Sequence, residues 1–267
     1  MGRPVFLHIL ASCFLVGFCL TFASCVQKET QEEVIQVTKE CSLPADQAGT
    51  LGGKWKVTPV PIAMKRGDFH PDEVTAIVKA ADVWNKFFEE SMGFKIIDYG
   101  DPAAPNLSHV EKPIKLCAQG IVKGGSFSGQ VVIYKQRIWP HTNLNAIAQT
   151  SYCPSPSQRL PSYYTAIIEV NYQQFFAPGR RVPDLESIFV HEFGHLIGLE
   201  HSCDPGGRPG FPQCVDSGVS QEYSDAVMYP MVSIDAAGFG EVRTKLQVND
   251  QSRANCLYRI PETPQNK

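Results

Sequence analysis

His191-Glu192-Phe193-Gly194-His195-Leu196-Ile197-Gly198-Leu199-Glu200-His201 is the stretch on which the reading of this chain turns. An α-helix advances about 100° per residue, so His191 and His195 share one face, a turn apart. Two imidazoles placed in this way can reach one metal ion. Glu192, beside the first of them, sets a carboxylate where it can take a proton from metal-bound water. His201 is the informative residue. In a continuous helix it would lie about 15 Å along the axis from His191, yet imidazole nitrogens sharing a zinc ion each sit about 2.0–2.1 Å from it. The helix must therefore stop and the chain turn back, which Gly198 permits by taking a left-handed backbone conformation. Three histidines leave the fourth zinc position open to water, as in catalytic rather than structural sites. Phe189, Val190, Phe193, Leu196 and Ile197 give the helix an apolar face as well. An amphipathic helix with unrelated surface histidines would explain that face, but not the interval from Gly198 to His201.

Asp225-Ala226-Val227-Met228-Tyr229-Pro230 follows, with Met228 27 residues beyond His201. A lone methionine is ordinarily core filler. Together the two stretches resemble the metzincin zinc peptidases, whose Met-turn lies beneath the zinc ligands, and Met-Tyr-Pro resembles the matrixin (matrix metalloproteinase-like) branch. In the astacin branch a tyrosine two residues after the methionine can contact zinc; that position here is Pro230, so Tyr229 is not assigned as a ligand. Lys54-Trp55, the Ala81-to-Trp84 segment and Leu257-Tyr258 also resemble matrixin positions.

The resemblance implies an α+β, zincin-like catalytic domain over residues 54–260. It would hold a twisted, mostly parallel five-stranded sheet, two long helices, the Met-turn and a C-terminal helix. It further implies one catalytic Zn2+ on His191, His195 and His201, Glu192 as the catalytic base, and Met228 beneath the ion. A substrate pocket would be walled by Tyr229, Pro230 and Val232. The edge strand and the stretch after Pro230 would hold an extended substrate by strand addition. Two departures qualify this. Animal matrixins carry a second, structural zinc and calcium ions in a loop between strands. Between Tyr99 and Asn171 only His109 and His141 occur, without the family spacings, so no second zinc is expected and Ca2+ is left open. The pocket wall, Pro-x-Tyr in the family, reads Pro230-Met231-Val232, so substrate preference does not carry over. No haemopexin-like domain is expected.

The chain has 267 residues, 43% of them hydrophobic, enough for one domain with a substantial core, and its net charge of −3 gives no electrostatic footprint for nucleic acid. Met1-Gly2-Arg3 followed by the apolar run from Val5 to Leu20 reads as a signal peptide, residues 1–24, too short for a membrane span. Phe22-Ala23-Ser24-Cys25 resembles a bacterial lipobox with Phe22 where leucine is usual; ordinary secretory cleavage nearby is the alternative. A lipid on Cys25 would tether the protein to a membrane without spanning it. The polar residues 25–53 read as a linker or short pro-segment, and 261–267 as a tail.

Of nine cysteines, Cys13 and Cys19 leave with the signal and Cys25 is the lipidation candidate. The remaining six are an even set, which suits pairing in an oxidising compartment. Cys203 with Cys214 is the specific pairing expected, closing a Gly/Pro-rich loop just after the third histidine. No Cys-x-x-Cys spacing supports thiolate metal ligands. Cys41-Ser42-Leu43-Pro44-Ala45-Asp46 is similar to a cysteine switch, but lacks its arginine and glycine; a disulfide also explains Cys41 and keeps the cysteine count even, which favours pairing.

Patterning predicts a strand over Trp55–Val60 and a helix opened by Pro71 and ended by Gly93, with Asp72 and Glu73 in its first turn. Further strands are expected at Phe94–Asp98, Gln130–Tyr134 and Thr165–Val170, with an edge strand at Ala146–Tyr152. The zinc helix is expected over Leu185–Leu199 and a last helix over Leu246–Tyr258. The expected function is that of an exported zinc-dependent endopeptidase acting on protein or peptide substrates as a monomer. Its location is the cell envelope as a lipoprotein or the secreted fraction. The alternatives are a non-catalytic zinc-binding protein on the same fold and a zinc exopeptidase.

Overall fold

The structure, a computed structural model, describes residues 50–109, 131–154, 161–177, 179–209, 211–214 and 219–259. The signal segment, Cys25, Cys41, Cys117 and the tail lie outside the described residues. In chain order the elements are β1 (Lys54–Trp55), β2 (Val60–Lys65), α1 (Pro71–Met92), β3 (Ile97–Asp98), β4 (Gly100–Asp101), β5 (Ala104–Pro105), β6 (Leu107–Ser108), β7 (Val131–Gln136), β8 (Ala148–Pro154), β9 (Ser162–Asn171), α2 (Leu185–Leu196), α3 (Gln221–Ser224) and α4 (Val248–Arg259).

The first strand differs from expectation. Alternation favoured Trp55–Val60, but only Trp55 of β1 and Val60 of β2 belong to strands there. In β2, Val60, Ile62, Ala63 and Met64 are all buried. An inner parallel strand covered on both faces reads as a continuous apolar run, without the period of two. The strand expected at Phe94–Asp98 shortens to Ile97–Asp98. Here the Asn85 side chain of α1 accepts from the Ile96 and Ile97 amides and donates to the Ile97 carbonyl. The β4–β5 hairpin, β6 and α3 are too short to leave a period in sequence and were not expected.

Hydrogen bonding joins seven strands in the order β1-β9-β7-β2-β3, with β6 also on β2 and β8 also on β9. They fill five positions. β3 and β6 share the outer edge of β2, while β1 and β7 share one edge of β9. Within this sheet every pairing is parallel except β8 with β9, which runs antiparallel from Ala148 opposite Val170 to Pro154 opposite Tyr163. Among the described residues β8 pairs only with β9, so its far edge borders the cleft. This is the mostly parallel, α+β arrangement expected.

Both long helices bury their apolar faces in one core with the sheet. On α1, Ile77, Val78, Ala81, Trp84 and Phe88 are buried, and on α2 Ile188, Phe189, Val190, Phe193 and Leu196. Two indoles carry polar ties through that core. Trp84 Nε1 donates to the Val190 carbonyl at 2.8 Å and Trp55 Nε1 to the Leu196 carbonyl at 2.7 Å. A buried N–H that found no partner would cost about 1–3 kcal/mol, so these contacts also set the height of α2 against α1 and β1. α1 starts at Pro71, with the Glu73 carboxylate accepting from the His70 amide, and stops at Gly93, φ 82°.

α2 ends three residues earlier than expected, at Leu196. Gly198 N donates to the His195 carbonyl and Leu199 N to the Gly194 carbonyl, a closure that needs a left-handed residue at Gly198, φ 103°. A second constraint acts on the same glycine: a methyl group there would collide with the Gly53 carbonyl. That carbonyl belongs to a segment upstream of β1. Gly52 N donates to the Gly198 carbonyl and Glu200 N to the Thr50 carbonyl, so residues 50–53 run alongside the turn. Gly198→Ala combines backbone strain with this collision and should destabilise the fold by about 2–4 kcal/mol. The urea-unfolding midpoint checks this, and an unchanged midpoint would contradict it.

Candidate metal centre and substrate cleft

The turn at Gly198 brings His201 back to the face of α2 that carries His191 and His195. One ring nitrogen from each histidine lies within 4.8 Å of the others, and the ring centroids are 4.8–5.3 Å apart. His191 Nδ1 lies 2.7 Å from the Val227 carbonyl and His195 Nδ1 2.7 Å from the Leu199 carbonyl. A carbonyl only accepts, so both Nδ1 atoms carry the proton and both Nε2 lone pairs are left for a cation. Burial, reinforced by the neighbouring rings, pushes all three imidazoles down to about 3. They are neutral near pH 7. Three neutral nitrogens with oriented lone pairs fit a zinc ion.

Glu192 follows His191 on α2 and is 5% exposed. Burial pushes its carboxyl up to about 7, and a hydrogen bond from Thr150 pulls it back in part. Near neutral pH it can therefore both take up and release a proton.

Met228 is fully buried and packs against α2 at Gly194. A methyl group on Gly194 would collide with Met228 Sδ, so the glycine between the first two histidines is what lets the Met-turn approach. The turn is held from α4. Val227 N and Met228 N donate to the Asp250 carboxylate at 3.0 and 3.2 Å, and Gln247 N donates to it at 3.0 Å. Arg253, also fully buried, donates through Nη1 to the Glu200 carbonyl at 2.9 Å and through Nε to Asn249. Its Nη2 lies 3.8 Å from Asp250 Oδ1. Asp250 and Arg253 thus clamp the two loops that flank the histidines.

A cleft of about 630 Å3 runs over this floor. Ala146 to Thr150 of the edge-strand region line one side, and Tyr229, Pro230, Met231 and Val232 line the other. At one end Arg243 pairs with Glu241 at 2.8 Å and lies 5.0 Å over the Tyr229 ring. Behind His201, a disulfide joins Cys203 to Cys214 and packs with Tyr223 and Tyr229. Cys153 and Cys256 are disulfide-bonded as well. His141 bonds Glu169 at 2.8 Å.

Of the residues named from the sequence, His191, Glu192, His195, His201, Tyr229, Pro230 and Val232 border one cleft, and Met228 packs against Gly194. Sequence reasoning did not find Thr150, Asp250 or Arg253 as parts of the site. Thr150 was a strand residue and Asp250 a helix residue, because nothing local marks a side chain whose partner is 22 to 42 positions away. An aspartate and an arginine three apart on an otherwise buried helix face were the available signal.

Two outcomes follow from this geometry. The histidines bind protons at about 3 in the folded chain and about 6.5 in the unfolded one. Between those values the unfolded chain holds more protons, so stability falls as pH falls. Glu192 and Asp250, both raised, act in the opposite sense. Three histidines outweigh two carboxylates, and the chelator-treated protein should show a lower urea midpoint at pH 5 than at pH 7. Asp250→Asn should leave Arg253 as a buried charge without its counter-ion and loosen the Met-turn, weakening zinc affinity about ten- to a hundredfold in competition with a fluorescent chelator.

The family model for matrixin matches residues 60–207, more than half of the chain. Among solved structures the chain is similar to high choriolytic enzyme 1, a hatching-enzyme zinc-protease from Oryzias latipes (medaka fish). The likeness is at 12% identity over 81% of this chain and 98% of that one, with a TM-score of 0.35. No curated protein matches it. The family match runs from β2 through α1, every later strand and all three histidines, and on that ground the chain belongs to the matrixin family of zinc metallopeptidases.

Proposed function

We propose that the protein is a zinc-dependent endopeptidase that hydrolyses peptide bonds of proteins outside the cytoplasm. The observation that carries this is the cluster of three histidine nitrogens within 4.8 Å of one another, with the Glu192 carboxyl beside them, on the floor of a cleft of about 630 Å3. Bound by His191, His195 and His201, zinc supplies Lewis-acid polarisation of the scissile carbonyl and acidifies water. Glu192 takes the proton of the attacking water and returns it to the leaving amine. An extended substrate adds as a strand to the outer edge of β8, and Tyr229, Pro230 and Val232 receive the side chain beside the scissile bond. Strand addition uses chain on both sides of the cut, which favours internal bonds over terminal ones. Met228 supports the ligands from below.

The disulfide of Cys203 with Cys214, and those of Cys153 and Cys256, support export to an oxidising compartment. Among the described residues no helix is long and apolar enough to cross a membrane. Residues 1–24 would be the signal and Cys25 a lipid anchor to a bacterial cell envelope. A mature N-terminus other than Cys25 would exclude that anchor.

Digestion of a peptide library tests the activity. Wild type should yield internal cuts that a chelator abolishes and zinc restores. Glu192→Gln should keep its zinc and its fold while losing at least about a hundredfold in rate. Products trimmed only from one terminus would instead identify an exopeptidase, and an unchanged rate in Glu192→Gln would sink the assignment of the base.

A further inference from the structure

Thr150 stands in the middle of the edge strand, opposite Ile168 of β9, and its hydroxyl reaches across to the zinc helix. Thr150 Oγ1 lies 2.6 Å from Glu192 Oε2 and 3.2 Å from the Glu192 carbonyl oxygen. The hydroxyl has one proton to give, and the shorter contact, to the carboxylate, is the stronger. Both acceptors belong to one residue. A single side chain on β8 therefore spans the backbone and the head group of the glutamate.

We propose that Thr150 is a positioning residue for Glu192: it occupies Oε2 and leaves Oε1 as the oxygen that meets water. This rests on the reading of Glu192 as the general base. Glutamate has a broad terminal torsion, so burial alone does not choose which oxygen faces the cleft. A charge-assisted hydrogen bond does choose. The placement has a second consequence. The strand that carries Thr150 is the one whose outer edge receives the substrate backbone, so β8 aligns base and substrate against each other. A base held only by its own helix would have no such link.

Three variants separate positioning from packing. Thr150→Val keeps the branched shape and removes the donor, Thr150→Ser keeps the donor and removes a methyl group, and Glu192→Gln removes the base. The full-length, zinc-loaded protein is assayed on one fluorogenic peptide taken from the library digest, with zinc content and Tm measured alongside. Thr150→Val should lower kcat about ten- to a hundredfold with KM, zinc content and Tm close to wild type, and Thr150→Ser should restore kcat to within about threefold. A wild-type kcat in Thr150→Val, equal impairment in Thr150→Ser, or a rate loss that tracks lost zinc or lost Tm would each overturn the positioning role. With Glu192→Gln inactive, such a result leaves the peptidase reading standing. A wild-type rate in Glu192→Gln would overturn the base itself, and the role of Thr150 with it.

Discussion

Three imidazole nitrogens gathered within 4.8 Å of one another require the chain to reverse directly after α2, and the segments that hold this reversal build the floor of the cleft. A helix can present two of the rings unaided. The third comes back only if the backbone takes a left-handed turn, and the turn survives only if both flanks are held. Residues 50–53 hold one flank through backbone bonds to Gly198 and Glu200. The other is held by Ser202, whose amide donates to the Met228 carbonyl. Gly194 and Gly198 are glycines for the same reason: another part of the chain passes where a side chain would begin.

Burial then supplies the electrostatics. It keeps the histidines neutral, so their lone pairs are free of protons at the pH where a metal would compete, and it raises the Glu192 carboxyl above the ordinary carboxylate range. Asp250 and Arg253 show burial in another role. A fully buried ion pair gives little net stability, because desolvating two charges offsets their attraction. What it gives here is connection: the carboxylate receives two Met-turn amides and the guanidinium reaches the carbonyl of Glu200. A C-terminal helix distant in sequence thereby sets the height of the turn under the histidines.

The parts of the fold that were legible in sequence are those where one period runs long enough to be read. α1 shows its apolar stripe over 22 residues and is bounded by a proline and a glycine, and its limits match expectation. β2 misled because a strand buried on both faces loses its alternation, and β3 was cut short by an asparagine from a helix. The two-residue strands exist because neighbours are present to bond them.

The site divides along the same line. Residue type and spacing by themselves made the candidate metal ligands legible, since His191, His195, Glu192 and His201 lie within eleven consecutive residues and helix geometry dictates what that spacing can do. Tertiary structure alone decided which other residues meet those side chains and the loops around them. Thr150 on the edge strand, Asp250 and Arg253 on the last helix, and Thr50 ahead of the first strand all act through partners far along the chain. Local spacing fixes direction only within a helix or strand. A hydrogen bond between two such elements depends on how they pack, and packing is a property of the whole core.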